Sequence, residues 1–426
     1  MKRLLSITLT IITALTISGC PKPEPPGVVK DLIEQYRGIK HPIYYFETHG
    51  EMTTVYRILE NTRDTNAIVT DLDGVIDMKS SFTSVFLLRQ NRDGHLYVTR
   101  LENDRAMTHD AVPDLEFSSD NYPIWAVSGT DTTFVCGIDS DGVTHVIGID
   151  WSRREAEQTF RENEVLEPTI SYEIREWYST RDMIWDIDVA PDGNRIAIMK
   201  SLPDTPGSYG LFFIDGPAGT PVRIGDNPVF ELGGFSPDNQ WYLAAFHQTE
   251  RVDIFLIDNG TLEAEPVTHV AHGFITGHPA WHPNSRYFIY TTNYTTDMMQ
   301  SSQSLSGEQL FLYSIDSMND RRLTAFNGVT MWVDFSPMGD FLLYSSTPGV
   351  MSRLGYGTVD EDQQQAYIDA GYETWRMYYV PWDPEEFQTG NIRILTPDES
   401  RFLIGWTHGG NEIIKFSWGP GEPDAL

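Results

Sequence analysis

The sequence predicts an all-β protein, a single β-propeller built from four-stranded blades. Three observations lead to this prediction: an internal repeat, a proline-centred turn in each clear copy, and strands rich in aromatic and branched residues. The four clear copies have their turn prolines at Pro191, Pro237, Pro283 and Pro337, spaced 46, 46 and 54 residues apart. A period of roughly 40 to 50 residues is typical of a propeller blade, so the repeat alone indicates the architecture.

Each clear copy is predicted to form two hairpins. A short apolar strand reaches a turn such as Pro191–Asn194, where proline fixes φ and Asp, Gly or Asn accepts the left-handed conformation that reverses the chain. Two further strands follow, and the first of them often ends in Ile-Asp, as at Asp215, Asp258 and Asp316. Four strands per copy follow from this pattern.

Three weaker copies complete the predicted ring. They begin at Val75, Ile124 and Gly405 and keep the spacing without the full turn motif. The last copy lacks an outer hairpin, and residues 43–60 contain two strand patterns that could supply it. Pairing the N- and C-terminal segments in one blade would close the ring and remove an exposed sheet edge. Seven blades are predicted, with six and eight left open.

The repeat motif of Gly234–Asp238 and Ala280–Asn284 resembles the Trp-Ser-Pro-Asp-Gly type repeat of TolB-like propellers. The resemblance covers residues 184–346 well and the rest of the chain only by spacing. It implies the fold but no single function, because similar propellers include envelope scaffold proteins, parts of serine peptidases and some polysaccharide lyases. The TolB family itself joins six blades to an N-terminal α/β domain, for which residues 1–42 are too few, so the chain is not expected to be TolB proper.

The N-terminus has the pattern of an export signal. Lys2 and Arg3 precede an apolar run, Leu4–Ile17, that is too short for a membrane helix. The run ends in Ile-Ser-Gly before Cys20, which resembles the bacterial lipobox and implies that Cys20 carries a lipid. The alternative is an ordinary secretory signal with a chance cysteine. Cys136, the second cysteine, is predicted to be a buried apolar residue.

The N-terminal export pattern predicts the parts of the chain and the cellular location of the protein. The chain would lie in the bacterial cell envelope, anchored to a membrane by lipid alone and facing the periplasm or the exterior. Residues 21–27 are proline-rich, which favours a stiff tether. The predicted parts are a lipoprotein signal peptide (1–19), a lipid-anchored cysteine with its tether (20–42) and the propeller (43–426).

The chain is strongly acidic, with a formal net charge of −31. Its 30 basic residues are mostly arginine. Phosphate binding needs a basic stripe, so the sequence predicts no nucleic-acid partner. The acidic surface could keep the protein soluble, suit a salt-adapted organism, or attract cations and basic partners.

Long connections between strands indicate a binding surface. If strands A to D run outward from the axis, A–B and C–D connections lie on one face, and B–C and D–A connections on the other. The sequence assigns 201–210, 294–309 and 345–376 to B–C, and 153–183 and 383–402 to D–A, which would place every long connection on one face. This long-loop face is the predicted site for an envelope protein or a polysaccharide, although its loops could simply pack on one another. Its aromatic candidates are Trp177, Tyr178, Tyr294, Tyr356, Tyr367, Tyr372 and Trp375.

Two groups of residues could carry chemistry. His269, His272 and His278 could bind a metal ion. His282 lies four residues along the same strand from His278, which separates the two by about 13 Å, too far to share one ion directly. No cofactor is predicted beyond this metal.

Acidic residues at the start of inner strands form the second group. Asp186, Glu231 and Asp334 could perform general acid–base catalysis, and together with Asp188 they could bind Ca²⁺. The alternative is that they hydrogen-bond neighbouring blades or line a watery channel.

The sequence therefore favours a binding or assembly scaffold. It contains no Gly-x-Ser-x-Gly elbow, phosphate loop or zinc-finger spacing. The alternative function is a propeller enzyme, lyase-like or glycosidase-like, that uses the histidines or carboxylates at the channel mouth, and whether the chain is an enzyme stays open.

Overall fold

The fold is all-β, as the sequence predicts. The computed structural model describes residues 43–49, 52–58, 65–81, 84–90, 94–102, 105–109, 116–117, 124–151, 173–270, 276–293, 309–323, 328–336, 339, 341–348, 374–381, 401–407 and 416–418. These residues form strands and turns, with no helix among them. Within these ranges no helix is long and apolar enough to cross a membrane.

The strands pair into seven antiparallel sheets, numbered here in chain order and given from the innermost strand outward. Sheet 1 contains β29 (Phe416–Trp418), β1 (Ile43–His49), β2 (Met52–Ile58) and β3 (Thr65–Asp73). Sheet 2 contains β4 (Val75–Ser80), β5 (Val85–Gln90), β6 (Leu96–Glu102) and β7 (Arg105–His109). Sheet 3 contains β8 (Glu116–Phe117) and β9 (Trp125–Val127), which share one edge of β10 (Thr132–Ile138), followed by β11 (Thr144–Asp150) and β12 (Glu173–Thr180).

The remaining four sheets follow the same order. Sheet 4 contains β13 (Ile184–Val189), β14 (Arg195–Ser201), β15 (Tyr209–Asp215) and β16 (Val222–Ile224). Sheet 5 contains β17 (Val229–Phe235), β18 (Trp241–Gln248), β19 (Arg251–Asp258) and β20 (Ala264–Pro266). Sheet 6 contains β21 (Thr276–Trp281), β22 (Tyr287–Thr292), β23 (Gln309–Ser314) and β24 (Asn319–Arg322). Sheet 7 contains β25 (Gly328–Phe335), β26 (Phe341–Pro348), β27 (Thr374–Pro381) and β28 (Arg401–Thr407).

Consecutive sheets pack face to face like the blades of a propeller. The inner strands contact one another in chain order, from β29 against β4 through to β21 against β25. Each described hydrophobic cluster is built by two consecutive sheets, for example Phe134, Val146, Ile187 and Ile198 between sheets 3 and 4. These interfaces are the core. The described residues form seven sheets, and their closure into a ring of seven blades stays a prediction.

The turns between the two inner strands have the predicted chemistry. In the four clear copies the third turn residue has positive φ: Gly193 (74°), Asn239 (60°), Ser285 (60°) and Gly339 (73°). The amide of that residue donates to the carbonyl three residues earlier, as from Gly193 to Ala190 at 2.9 Å. Glycine is required at 339, where an added Cβ would come within 2.4 Å of the His282 ring.

Both chain ends meet in sheet 1, so the predicted pairing is confirmed, with a different division of strands. β1 pairs with β29 in the register Ile43↔Trp418 to Tyr45↔Phe416. The N-terminal segment supplies three strands, and only β29 comes from the C-terminal end. The prediction that the copy beginning at Gly405 forms the inner hairpin of this blade is wrong, because 401–407 pairs with β27 as the fourth strand of sheet 7. The connection 382–400 separates β27 from β28 by 19 residues, so β28 begins where the repeat spacing predicts the first strand of the next copy.

Two long connections are C–D rather than D–A. β12 pairs with β11 as the outermost strand of sheet 3, so residues 151–172 join its third and fourth strands. Residues 382–400 join the third and fourth strands of sheet 7 in the same way. Strand alternation places these two connections on the face opposite the B–C connections 202–208, 293–308 and 349–373. The prediction that every long connection lies on one face is therefore wrong.

Candidate functional site

A β-bulge recurs near the start of the inner strands, and it organises the candidate site. The extra residue is Ile76 in β4, Trp185 in β13, Phe230 in β17 and Trp332 in β25, and the bulge of β21 spans His278 and Pro279. A bulge re-aims side chains and increases local twist. In β13 and β17 the bulged aromatic is left exposed, 46% for Trp185 and 39% for Phe230, and an acidic residue comes next.

The acidic residues of three inner strands converge on one space. Burial raises the pKa of Asp186; Lys79 opposes the shift, and the negative charges of Glu231 and Asp77 add to it. These four residues come from sheets 2, 4 and 5, whose inner strands contact one another in succession through β9 of sheet 3. The strand assignments agree with the prediction that Asp186 and Glu231 lie near the start of inner strands.

Lys79 and Asp77 fasten sheet 2 to sheet 3. The Lys79 ammonium donates to the Trp125 carbonyl at 2.6 Å. Asp77 accepts the Trp125 indole N–H at 2.8 Å and the Met78 amide at 2.8 Å. Charge-assisted bonds of this kind hold neighbouring blades together.

Asp188 and Asp334 lie deeper along their strands, each three residues before its turn proline. Asp188 Oδ2 accepts the Phe235 amide of sheet 5 at 3.2 Å, and burial raises the pKa of Asp188 to about 6. Solvent still reaches Asp334, but the surrounding protein removes enough of its hydration to raise its pKa to about 7. Both acids therefore titrate near neutral pH.

Glu231 holds His278 of the next sheet by two bonds. Its Oε1 lies 2.9 Å from His278 Nδ1, and its Oε2 accepts the His278 amide at 2.8 Å. His278 has φ of 50°, an unusual conformation for a residue other than glycine, which this carboxylate stabilises. The alternative weighed for the acids, inter-blade hydrogen bonding, is thus observed for Glu231 and Asp188.

The predicted metal site stays a prediction, because only two of its three histidines lie in the described residues. His269 is exposed between β20 and β21, His278 is bonded to Glu231, and His272 lies outside the described residues. His282 is buried: its Nε2 donates to the Gly339 carbonyl at 3.1 Å, its Nδ1 accepts the Asn284 amide, and burial lowers its pKa. In the described ranges no three His, Cys, Asp or Glu residues are grouped to hold a metal ion.

Two predicted binding-face residues belong to the core instead. Trp177 is only 6% exposed and packs edge-to-face on Phe134 with ring centroids 4.9 Å apart. Tyr178 is partly buried against the same cluster. Their assignment to the binding face is wrong, because β12 is the outer strand of sheet 3 and a bulge opposite Val146 and Ile147 turns Trp177 inward.

The other aromatic candidates stay predictions. Trp375 lies in β27, opposite Trp406 of β28, and so is in a strand rather than a loop. Tyr294, Tyr356, Tyr367 and Tyr372 lie outside the described residues.

A surface patch that the sequence reasoning missed lies at the opening of the inner strands. We call Met183, Trp185, Tyr209, Phe230 and His247 the mouth patch. The Trp185 and Tyr209 rings lie 5.3 Å apart, the Tyr209 hydroxyl lies 3.8 Å from Met183 Sδ, and the Phe230 and His247 rings lie 5.3 Å apart. All five residues lie at the B–C and D–A ends of sheets 4 and 5. The signal in the sequence was the aromatic–acid pair near the start of two inner strands, Trp185–Asp186 in β13 and Phe230–Glu231 in β17.

Comparisons with known proteins add to this description. No protein-family model matches the sequence, and no curated protein matches it. Among solved structures, similar folds include a protein described as TolB from Agrobacterium tumefaciens, at 14% identity and a TM-score of 0.42, covering 89% of this chain and 98% of that one. TolB from Acinetobacter baumannii is similar at 9% identity and a TM-score of 0.45, covering 92% of this chain and 70% of that one. An oligogalacturonate lyase from Vibrio parahaemolyticus is similar at 11% identity and a TM-score of 0.47, covering 69% and 82%.

The fold is a β-propeller, built from consecutive antiparallel sheets. Its own sheets and turns establish the propeller, and these distant similarities assign no ligand or activity.

Proposed function

We propose that this chain is a lipid-anchored protein of the bacterial envelope, whose propeller binds a partner at the mouth patch and serves as a binding or assembly scaffold. The mouth patch is the observation that carries this proposal. Seven large hydrophobic side chains are exposed in the described residues, and Met183, Trp185 and Phe230 of the patch are three of them. Exposed apolar residues that cluster, rather than scatter, mark interaction sites.

The patch is also held in a fixed position. Trp185 and Phe230 are bulge residues of inner strands whose neighbours β14 and β18 are largely buried. A partner therefore meets aromatic side chains that are already placed, which lowers the entropic cost of binding. Tryptophan and tyrosine commonly dominate the binding energy of interfaces.

Site-specific crosslinking tests the scaffold proposal. A photoreactive residue at position 185 should give a defined adduct in envelope preparations, and the same residue at 318 should not. Met318 is the matched control, because it is 79% exposed but lies on the turn between β23 and β24, away from the patch. Trp185→Ala should remove partner binding while the melting temperature stays unchanged. Equal crosslinking at both positions would contradict the proposal.

The envelope location rests on the N-terminal sequence. Cys20→Ala should abolish incorporation of a labelled fatty acid when the chain is expressed in a bacterial host. Cys136→Ala is the control, because Cys136 is fully buried in sheet 3 and should leave labelling unchanged. Labelling that persists in the Cys20 variant would refute the lipid anchor.

An enzymatic role is the second candidate, and the neutral-range pKa of Asp334 favours it. A carboxyl group with a pKa of about 7 is suited to act as a general acid. Purified protein would be screened for polysaccharide cleavage, with Asp334→Asn as the inactive variant and Asp316→Asn, an exposed acid outside the channel, as the control. Absence of cleavage that depends on Asp334 would exclude this role for it.

A further inference from the structure

The inner strands that begin beside Trp185 and Phe230 contain more acidic than basic residues. The inner strands β4, β13, β17 and β25 contain five acidic residues, Asp77, Asp186, Asp188, Glu231 and Asp334, and one basic residue, Lys79. The Lys79 ammonium is already bonded to the Trp125 carbonyl. Like charges close together in a partly desolvated space repel, and a cation entering that space is attracted.

A buried hydroxyl beside these carboxylates supplies an independent observation. Tyr242 is fully buried in the interface of sheets 4 and 5, and its hydroxyl has no hydrogen-bond partner of ordinary geometry among the described residues. The hydroxyl lies near the Gly234 backbone, and the charges of Asp188 and Asp186 act on it. A buried polar group without a partner is costly, so a donor or acceptor is expected to reach it.

Aromatic residues at the entrance narrow the chemistry of the ligand. Trp185 and Phe230 precede Asp186 and Glu231 directly, so each strand presents an exposed ring next to an acid. Glu231 keeps accepting capacity beyond its two bonds to His278, because an ionised carboxylate offers about four lone-pair sites. A planar guanidinium stacks on aromatic rings and bonds carboxylates in pairs, which a lysine ammonium does not.

We propose that the partner presents an arginine side chain, which enters between Trp185 and Phe230 and pairs with Asp186 and Glu231. This inference rests on the proposed scaffold function and names the chemistry that the mouth patch recognises. The formal net charge of −31 also favours a basic partner, because it attracts a basic segment from a distance at low salt.

The test uses the mature full-length protein and a short Gly/Ser peptide with two adjacent arginines. The matched peptide carries citrulline at both positions, which keeps the shape and removes the charge. Binding is followed by broadening of the peptide resonances in NMR, which detects weak complexes. The arginine peptide should bind about tenfold tighter than the citrulline peptide, the effect expected of a charge-assisted pair with aromatic stacking. A Lys–Lys peptide should fall between the two.

Two pairs of protein variants distinguish binding at Asp186 and Glu231 from general attraction to the acidic surface. Asp186→Asn with Glu231→Gln should remove the preference for arginine. Glu263→Gln with Glu265→Gln makes the same change in net charge at exposed positions of sheet 5 outside the channel, and should keep the preference. Melting curves establish that each variant is folded. The wild-type preference should also shrink at high salt, which gives a readout without mutation.

Equal binding of the arginine and citrulline peptides would overturn the inference, as would a preference that survives the Asp186/Glu231 substitutions. Competition by a neutral oligosaccharide, and not by the arginine peptide, would overturn it in favour of a glycan. Crosslinking from position 185 distinguishes the two proposals. An adduct without arginine preference refutes only the arginine chemistry, whereas absence of an adduct refutes the scaffold.

Discussion

Truncating Trp177 should destabilise the propeller without affecting recognition. The indole is 6% exposed, packs on Phe134, and lies over Gly148 between sheets 3 and 4. Replacing a buried tryptophan by alanine costs about 3–5 kcal/mol. For a body of roughly 380 residues the unfolding entropy is about 0.8 kcal/mol/K, so Trp177→Ala should lower the melting temperature by about 4–6 °C.

Purified mature protein would be compared in thermal and urea unfolding. Arg175→Ala is the control, since Arg175 is an exposed residue of the same strand that forms a surface ion pair with Glu173, and its loss should change the free energy of unfolding by less than about 0.5 kcal/mol. If Trp177→Ala melts with the wild type and loses partner binding, Trp177 is a surface residue and the packing of β12 described above is wrong.

Gly148 allows a second test of the same contact. A Cβ at 148 would lie 2.7 Å from Trp177 Nε1 and 2.9 Å from its Cδ1, so Gly148→Ala forces the indole to move and should cost about 1–3 kcal/mol. In the Trp177→Ala background the space is empty, and the glycine substitution should cost much less. The difference is a coupling energy, and additive effects of the two substitutions would refute the contact.

Three further predictions concern pH and ring closure. His145 lies 2.9 Å from Asp139 Oδ2 and 2.7 Å from Glu176 Oε2, and although burial opposes its charged form, these bonds raise its pKa. Its contribution is therefore complete at acidic pH and lost as pH rises through the raised pKa, so the destabilisation by His145→Asn in urea unfolding should be larger at pH 5 than at pH 9. The surrounding protein removes part of the hydration of Asp334 and raises its pKa to about 7. The wild type should therefore lose stability from about pH 4 to pH 7, a loss that Asp334→Asn should remove. Deleting residues 43–58 removes β1 and β2, leaves β29 without its partner strand, and should cause association in size-exclusion chromatography, whereas shortening 202–208 should not. A pH-independent His145 effect, an unchanged Asp334 pH profile or a monomeric deletion variant would each contradict its prediction.

The sequence predicts the inner half of each blade better than the outer half. The inner hairpins carry a local signal, the proline turn with a left-handed residue such as Gly193 or Asn239. Such a signal involves only neighbouring residues, so it can be recognised in a single sequence. The outer strands β12 and β28 carry no turn motif and follow long connections. In β12 three consecutive exposed residues, two of them charged, precede Trp177, a pattern that resembles a surface crossover. Their places depend on pairing with distant strands, which the sequence does not encode locally.

The candidate site was predicted in part for a similar reason. The repeat places Asp186 and Glu231 on inner strands, so their location could be anticipated. The hydrogen-bond partners of the inner-strand acids could not be anticipated: Asp188 accepts the Phe235 amide and Glu231 accepts the His278 amide, each from a residue 47 positions away in the chain. Such contacts follow from blade packing. The exposure of Trp185 depends on a bulge, and hydrophobic pattern alone would bury it.

The joining of β1 to β29 has a consequence for how the chain is made. Tyr45 and Phe416 lie opposite each other although more than three hundred residues of chain separate them. Contacts of such long range form late, because the entropy of closing so long a loop is lost before they give any stability. Because β1 is synthesised first, the edge that later pairs with β29 stays unpaired throughout synthesis of the chain. We therefore expect the nascent chain to need protection of that edge by a chaperone until its last strands arrive.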